Sequence, residues 1–296
     1  MTVDAKNNHS EVKHLRVGGG EDVEDGEYPF VVVVAYIKDL DHKWCSAAML
    51  SPDWAVTAAY PFYDDEHVMG EDFFDNLAVW YGNFTTSPVK TKLYSRVRKI
   101  IIHPDFYSDP FHRPSSDHNI ALLHVKDKID LITYGMIATK QDLIGKSVTF
   151  VGGGPTRPDQ MYDLTAALYE PLQAAKAVIQ KCYENLLFTK IPKLCVDNHA
   201  GGTTTYQWDV GCPLLLDDHT ILGVLTDYSE DITVFLPLHV YSPWIEETMR
   251  MTAVADKVVP LVRDEMRTNG VEPEEHPDSP NDNGNCTSNA FYTEYV

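Results

Sequence analysis

The chain is poor in basic residues, in cysteine and in long apolar runs, and each shortage excludes something. Its 24 Lys and Arg stand against 44 Asp and Glu, a net charge of −20. Nonspecific attraction to a nucleic-acid backbone or an anionic membrane is therefore disfavoured. The longest apolar run, residues 30–37, falls far short of the roughly 20 residues that a membrane-spanning helix needs. The opening MTVDAKNNHSEVKH lacks the apolar stretch and small-residue cleavage site of a secretory leader. This predicts either an intracellular protein or a mature, trimmed form. The five cysteines, Cys45, Cys182, Cys195, Cys212 and Cys286, show no paired C-x-x-C zinc spacing and are too sparse for a disulfide framework. Their odd number leaves at least one unpaired or bonded to another chain. Twelve histidines show no His-Glu-x-x-His pattern, so no metal and no cofactor is expected.

What is present is a series of short β-branched and aromatic segments separated by turns, without an internal repeat, which reads as an all-β barrel or sandwich. Strands are predicted over 28–38, 45–50, 55–59, 77–81, 89–102, 120–125, 147–152, 166–170, 213–216, 221–226 and 233–237. Enrichment in Ala, Lys and Gln predicts a helix over 173–187. Pro243, with acids following and Arg250 near the end, predicts a closing helix over 244–251. From residue 256 onward nine acids face three bases, an acidic tail expected to be partly disordered. Its Phe291, Tyr292 and Tyr295 read either as a docking peptide or as part of a solvated tail. Sequons at Asn8, Asn83 and Asn285 permit glycosylation in a secreted protein. Gly152-Gly153-Gly154-Pro155 lacks the Lys-Ser/Thr of a phosphate loop and reads as a turn.

Four separated motifs stand in a telling order. They are Arg16-Val17-Gly18-Gly19-Gly20, Trp54-Ala55-Val56-Thr57-Ala58-Ala59-Tyr60, Asp117-His118-Asn119-Ile120-Ala121-Leu122-Leu123 and Trp208-Asp209-Val210-Gly211-Cys212-Pro213-Leu214. Together they resemble the activation junction, the base strand, the carboxylate segment and the nucleophile loop of trypsin/chymotrypsin-like serine proteases. The resemblance implies two six-stranded antiparallel β-barrels with a C-terminal helix. It also implies a pro-like segment over 1–16, a protease-homologue domain over 17–251 and an acidic extension over 252–296.

The same resemblance puts Val210, Tyr60 and Asn119 at the positions of nucleophile, base and orienting carboxylate. Valine has no nucleophile, a tyrosine of ordinary pKa near 10 is a poor base at neutral pH, and an amide cannot stabilise an imidazolium. Trp208 stands where the oxyanion hole has a glycine, and Thr204 at the floor of the specificity pocket. Thr226-Asp227-Tyr228 replaces the segment that pairs with substrate backbone. Asp117 and His118 read as ordinary loop residues, and Cys212 as a buried or bonded thiol. Arg16, Val17 and Asp209 keep the elements of the family's activation switch, read either as a working cleavage switch or as a remnant. Cys182 and Cys195 match a family disulfide. Cys45 has lost its usual partner and is expected to lie near Cys212, within reach of a rewired disulfide. The disulfide positions imply an extracellular location.

The basic residues Lys90, Lys92, Arg96 and Arg98 share the parity of one strand face, in a stretch without acids. They read either as an anion-binding exosite or as an edge guarded by charge. The resulting expectation is a secreted pseudoprotease that binds proteins, including a protease or cascade component, and neither nucleic acid nor membrane. The alternatives are a weak hydrolase with a rebuilt site and a storage or structural protein.

Overall fold

Four consecutive valines open the first barrel. Val31–Ile37 (β1) is buried at six of its seven positions, the pattern of a strand with barrel interior on one side and packed chain on the other. The structure is a computed structural model that describes residues 20–38, 41–63, 71–106, 108–109, 113–114, 117–155, 168–183, 191–198, 205, 207–229 and 231–254. After β1 come Asp41–Ser51 (β2), Trp54–Thr57 (β3), Leu77–Trp80 (β4), Tyr94–Ile102 (β5) and Ala121–Val125 (β6). They pair antiparallel in the order β1-β2-β3-β6-β5-β4 and close into a barrel. Met49, Leu77, Trp80, Leu122 and Leu123 on its strands are fully buried, some facing the barrel interior and others the chain packed against it.

The second barrel comprises Ser147–Gly152 (β7), Gln173–Gln180 (β8), Leu194–Asp197 (β9), Pro213–Leu215 (β10), Thr220–Tyr228 (β11) and Ile232–Pro237 (β12). Its order is β8-β7-β10-β11-β12-β9, and the β8–β9 pairing completes the circle. Phe150, Leu214, Leu225 and Phe235 centre its core. All twelve barrel strands lie in one compact unit ending at Glu247. The second unit, Thr248–Val296, is described only over 248–254, where the chain is helical. The closing helix begins at residue 242, two positions ahead of the expected start. Among the described residues no helix is long and apolar enough to cross a membrane.

Three expectations fail here. The described part of the helix expected over 173–187 is instead β8 as far as Gln180, and 184–187 lie outside the described residues. Burial alternates along it, with Gln173, Ala175, Ala177 and Ile179 inward, and ladders on both sides override the helical propensity of Ala, Lys and Gln. Residues 168–169 of the expected strand over 166–170 form a turn, and 166–167 lie outside the described residues. The stretch 89–102 is not one strand. Pro88, suited to a first helical turn, opens a short helix, Pro88–Thr91, and Lys92 ends it in the left-handed region at φ 59° before β5 begins.

That break dissolves the basic stripe. Lys90 is helical, Lys92 sits at the cap, and the register slips between Val97 and Lys99, where Arg98 is extra. Arg96 turns to the chain instead and donates to the Asp75 carbonyl at 2.9 Å. Lys90, Lys92, Arg96 and Arg98 therefore do not share one strand face.

Candidate functional site

The site forms where the ends of the two barrels meet. Ser46 on β2 knits them together. Its N–H donates to the Val210 carbonyl at 3.0 Å, and its hydroxyl donates to the Trp208 carbonyl and accepts from Gly153 N–H, each at 3.0 Å. β3 leads through Ala58 and Ala59 into a single 3₁₀ turn, Tyr60–Phe62, shaped by Pro61. Asn119, just ahead of β6, is 1% exposed. Its Oδ1 accepts from Ala59 N–H and Tyr60 N–H, both at 2.8 Å, and its Nδ2 donates to the Thr226 carbonyl at 3.4 Å on β11. Tyr60, Asn119 and Val210 thus gather at one place from three separate motifs.

The chemistry available there is limited. Val210 is buried and packs with Ala58 and Cys212 in the second core. Tyr60 is half exposed. Across from it, burial first and then the charges of Asp209 and Asp227 raise the Tyr228 phenol to about 12, with a further contribution from Tyr60. Burial, with the charge of Asp209, pushes the Cys212 thiol well above its ordinary value, and burial raises Cys45 to about 12. Both thiols are protonated near neutral pH and so are poor nucleophiles.

The rewired disulfide is not formed. Cys45 and Cys212 are free and buried, and the Cys45 sulfur faces the Thr57 hydroxyl at 3.8 Å. Cys182 and Cys195 are bonded, with Cα atoms 5.3 Å apart, joining the end of β8 to β9. Cys286 lies outside the described residues, as do Arg16, Val17 and Thr204. Trp208 is buried within the 3₁₀ turn Gln207–Asp209. Asp117 is held at 3.2 Å by the buried Lys193 and does not stand in for Asn119.

Two features escape sequence reasoning. The first is the purpose of the glycine run. Gly152 ends β7 and Gly153 to Pro155 continue irregularly rather than as a hydrogen-bonded turn. Gly154 N–H donates to Asp209 Oδ1 at 2.9 Å, and a Cβ at Gly152 or Gly154 would collide with the Asp209 carboxylate. The glycines are the bed on which this buried acid lies.

The second is Lys43, 2% exposed on β2, whose Nζ donates to the Glu170 carbonyl at 3.1 Å and lies 5.9 Å from the Trp80 ring centroid. Burial lowers its pKa from 10.5 to about 8, against the opposing charges of Glu170 and Asp209. Between these two values the unfolded chain holds a proton that the folded chain has released, so this residue makes stability rise with pH through that window. The raised thiols act oppositely, because the unfolded chain ionises first. Lys43→Met is expected to remove the rising contribution, so the variant loses stability more steeply than the wild type from about pH 8 to 10. Urea unfolding at a series of pH values checks this, and parallel curves refute it.

Among the described residues, one group has the composition of a metal site: His103, Asp105 and His118.

The family model described as Trypsin matches residues 17–245. The mouse (Mus musculus) protein named Kallikrein 1-related peptidase b3 is 26% identical over 260 residues, covering 79% of this chain and 90% of its own. The mouse Kallikrein 1-related peptidase b27 is 26% identical over 264 residues, with the same coverage. The human (Homo sapiens) Transmembrane protease serine 5 is 29% identical over 214 residues, covering 69% of this chain and 43% of its own. With two closed six-stranded barrels, a site gathered from the motif-bearing segments where they meet, and a family match across both barrels, this chain belongs to the trypsin/chymotrypsin-like family of serine proteases.

Proposed function

We propose that this family member is a pseudoprotease that acts by binding other proteins, as a cofactor or decoy in an extracellular protease or immune cascade. The observation that carries the reading is the chemistry of the three residues brought together. An amide oxygen, Asn119 Oδ1, receives the main-chain N–H groups of Ala59 and Tyr60, while Val210 carries no oxygen or sulfur to attack with and Tyr60 puts a phenol where the family has an imidazole. The protonated state of Cys45 and Cys212 supports it, since neither thiol offers a replacement. The Cys182–Cys195 bond supports an oxidising, extracellular setting.

The expected result with a fluorophosphonate probe is no covalent labelling, before or after light trypsin treatment, and no ester turnover above the uncatalysed rate. Stoichiometric labelling at any residue overturns the reading. Val210→Ser alone is expected to restore nothing, because a hydroxyl without an adjacent base stays a weak nucleophile.

A further inference from the structure

We infer that His103, Asp105 and His118 form a binding site for a divalent late transition metal such as Zn²⁺. Each residue offers one ligand atom, and the three atoms lie within 4.8 Å of one another. The sequence conceals the site, because His118 is fifteen positions from His103 and reaches it only through the fold. His103 follows the end of β5, Asp105 lies in the turn after it, and His118 immediately precedes Asn119.

Three further observations describe the surroundings of the site. The two imidazoles stack at 4.7 Å between centroids with planes 16° apart, so their in-plane lone pairs run side by side and one ring must turn to bring both nitrogens onto a single ion. His118 holds a left-handed backbone, φ 56°, which a residue with a Cβ adopts only when its surroundings enforce it. The Tyr241 hydroxyl lies 3.3 Å from His118 Nδ1. With the proton on Nδ1 donated to that hydroxyl, the lone pair on Nε2 is left for a metal, and the phenol orients the ring as an outer partner. Tyr241 and Trp244 wall His103, at 5.3 and 4.8 Å between ring centroids, while Asp105 is exposed and leaves an entrance.

The donor set decides the ion. Two imidazoles and a carboxylate suit Zn²⁺, Ni²⁺ or Cu²⁺, whereas Ca²⁺ and Mg²⁺ seek oxygen donors. Three protein ligands leave one position for water. Binding requires His103 to release or rearrange one hydrogen bond, from Asp105 N–H to its Nδ1 at 3.2 Å. The bound ion would fasten the end of β5 to the residue beside Asn119.

The test is calorimetric titration of the folded protein with ZnCl₂, with Asp105→Asn and His118→Asn alongside. Asparagine tolerates the left-handed backbone and so preserves the turn at position 118. One saturating equivalent in the wild type is expected, with affinity reduced at least tenfold in each variant while metal-free melting temperatures stay close to the wild type. Absence of saturable binding in the wild type overturns the inference. So does wild-type affinity in both variants, which would place the ion elsewhere. If His118→Asn fails to fold, the exposed Asp105→Asn decides alone.

Discussion

Gly211→Ala is expected to cost more than about 4 kcal/mol and to leave little folded protein at 37 °C. Gly211 sits at φ +86°, where a side chain is strained by roughly 1 to 2 kcal/mol on its own. The greater part of the loss is steric. A Cβ there would overlap the Thr57 hydroxyl and the Ser46 carbonyl, which are bonded to each other at 2.7 Å. Neither can retreat, because Thr57 and Ser46 are both fully buried between the barrels. The Gly211 N–H is also committed, to the Leu225 carbonyl at 2.8 Å. Gly26→Ala, at φ +82° with nothing within 4 Å of the added carbon, serves as the control and should lose only the backbone strain. Chemical denaturation of the two variants measures the difference. Equal losses would mean that the contact at the barrel junction contributes nothing beyond the backbone conformation.

The same junction explains why the sequence is legible in some places and silent in others. Strands such as Ser147–Gly152, whose residues alternate or run β-branched, follow from local pattern alone. The gathering of Tyr60, Asn119 and Val210 follows from motif order, because each motif is a contiguous string of residues. Gln173–Gln180 misleads, since its composition favours a helix and only the ladders on either side make it a strand. The stripe of basic residues misleads for a related reason. Parity along a strand means nothing once a helical turn and a register slip interrupt it; Pro88 marks the turn, but the slip leaves no clear mark in composition.

Lys43, the glycine bed of Asp209 and the His103–Asp105–His118 group share a different invisibility. Each consists of residues from distant segments whose meeting depends on how the loops at the barrel ends pack. A lysine between two predicted strands reads as an exposed position; that this one is buried beside Trp80 has no local signature. Cys45 and Cys212 show the limit of arguing by partners lost. Placing two odd cysteines near one junction does not bond them, and both remain thiols.

Asn119 supplies the second large effect. Its side chain satisfies two main-chain N–H groups at the end of β3 and donates across to Thr226 on β11, so one amide fastens the first barrel to the second. Asn119→Ala leaves the buried Ala59 N–H and the partly buried Tyr60 N–H without their acceptor. An orphaned buried donor costs roughly 1 to 3 kcal/mol, so the expected loss is about 3 kcal/mol. Asn119→Asp keeps an acceptor oxygen for both N–H groups but gives up the amide donor, turning an oxygen toward the Thr226 carbonyl instead. When the carboxyl keeps its proton, its O–H can donate to the Thr226 carbonyl while the other oxygen accepts both N–H groups, so the loss at acidic pH should be smaller, about 1 kcal/mol. Once ionised, the buried charge faces that carbonyl and the loss grows. The order wild type, Asp, Ala in urea midpoints at acidic pH is therefore the expected result. An alanine variant as stable as the wild type would show that the two N–H groups find other partners and that the amide is not the fastener. Asn119→Asp should also stay inert to a fluorophosphonate, because a carboxylate beside Tyr60 has no imidazole to orient and Val210 still offers no oxygen.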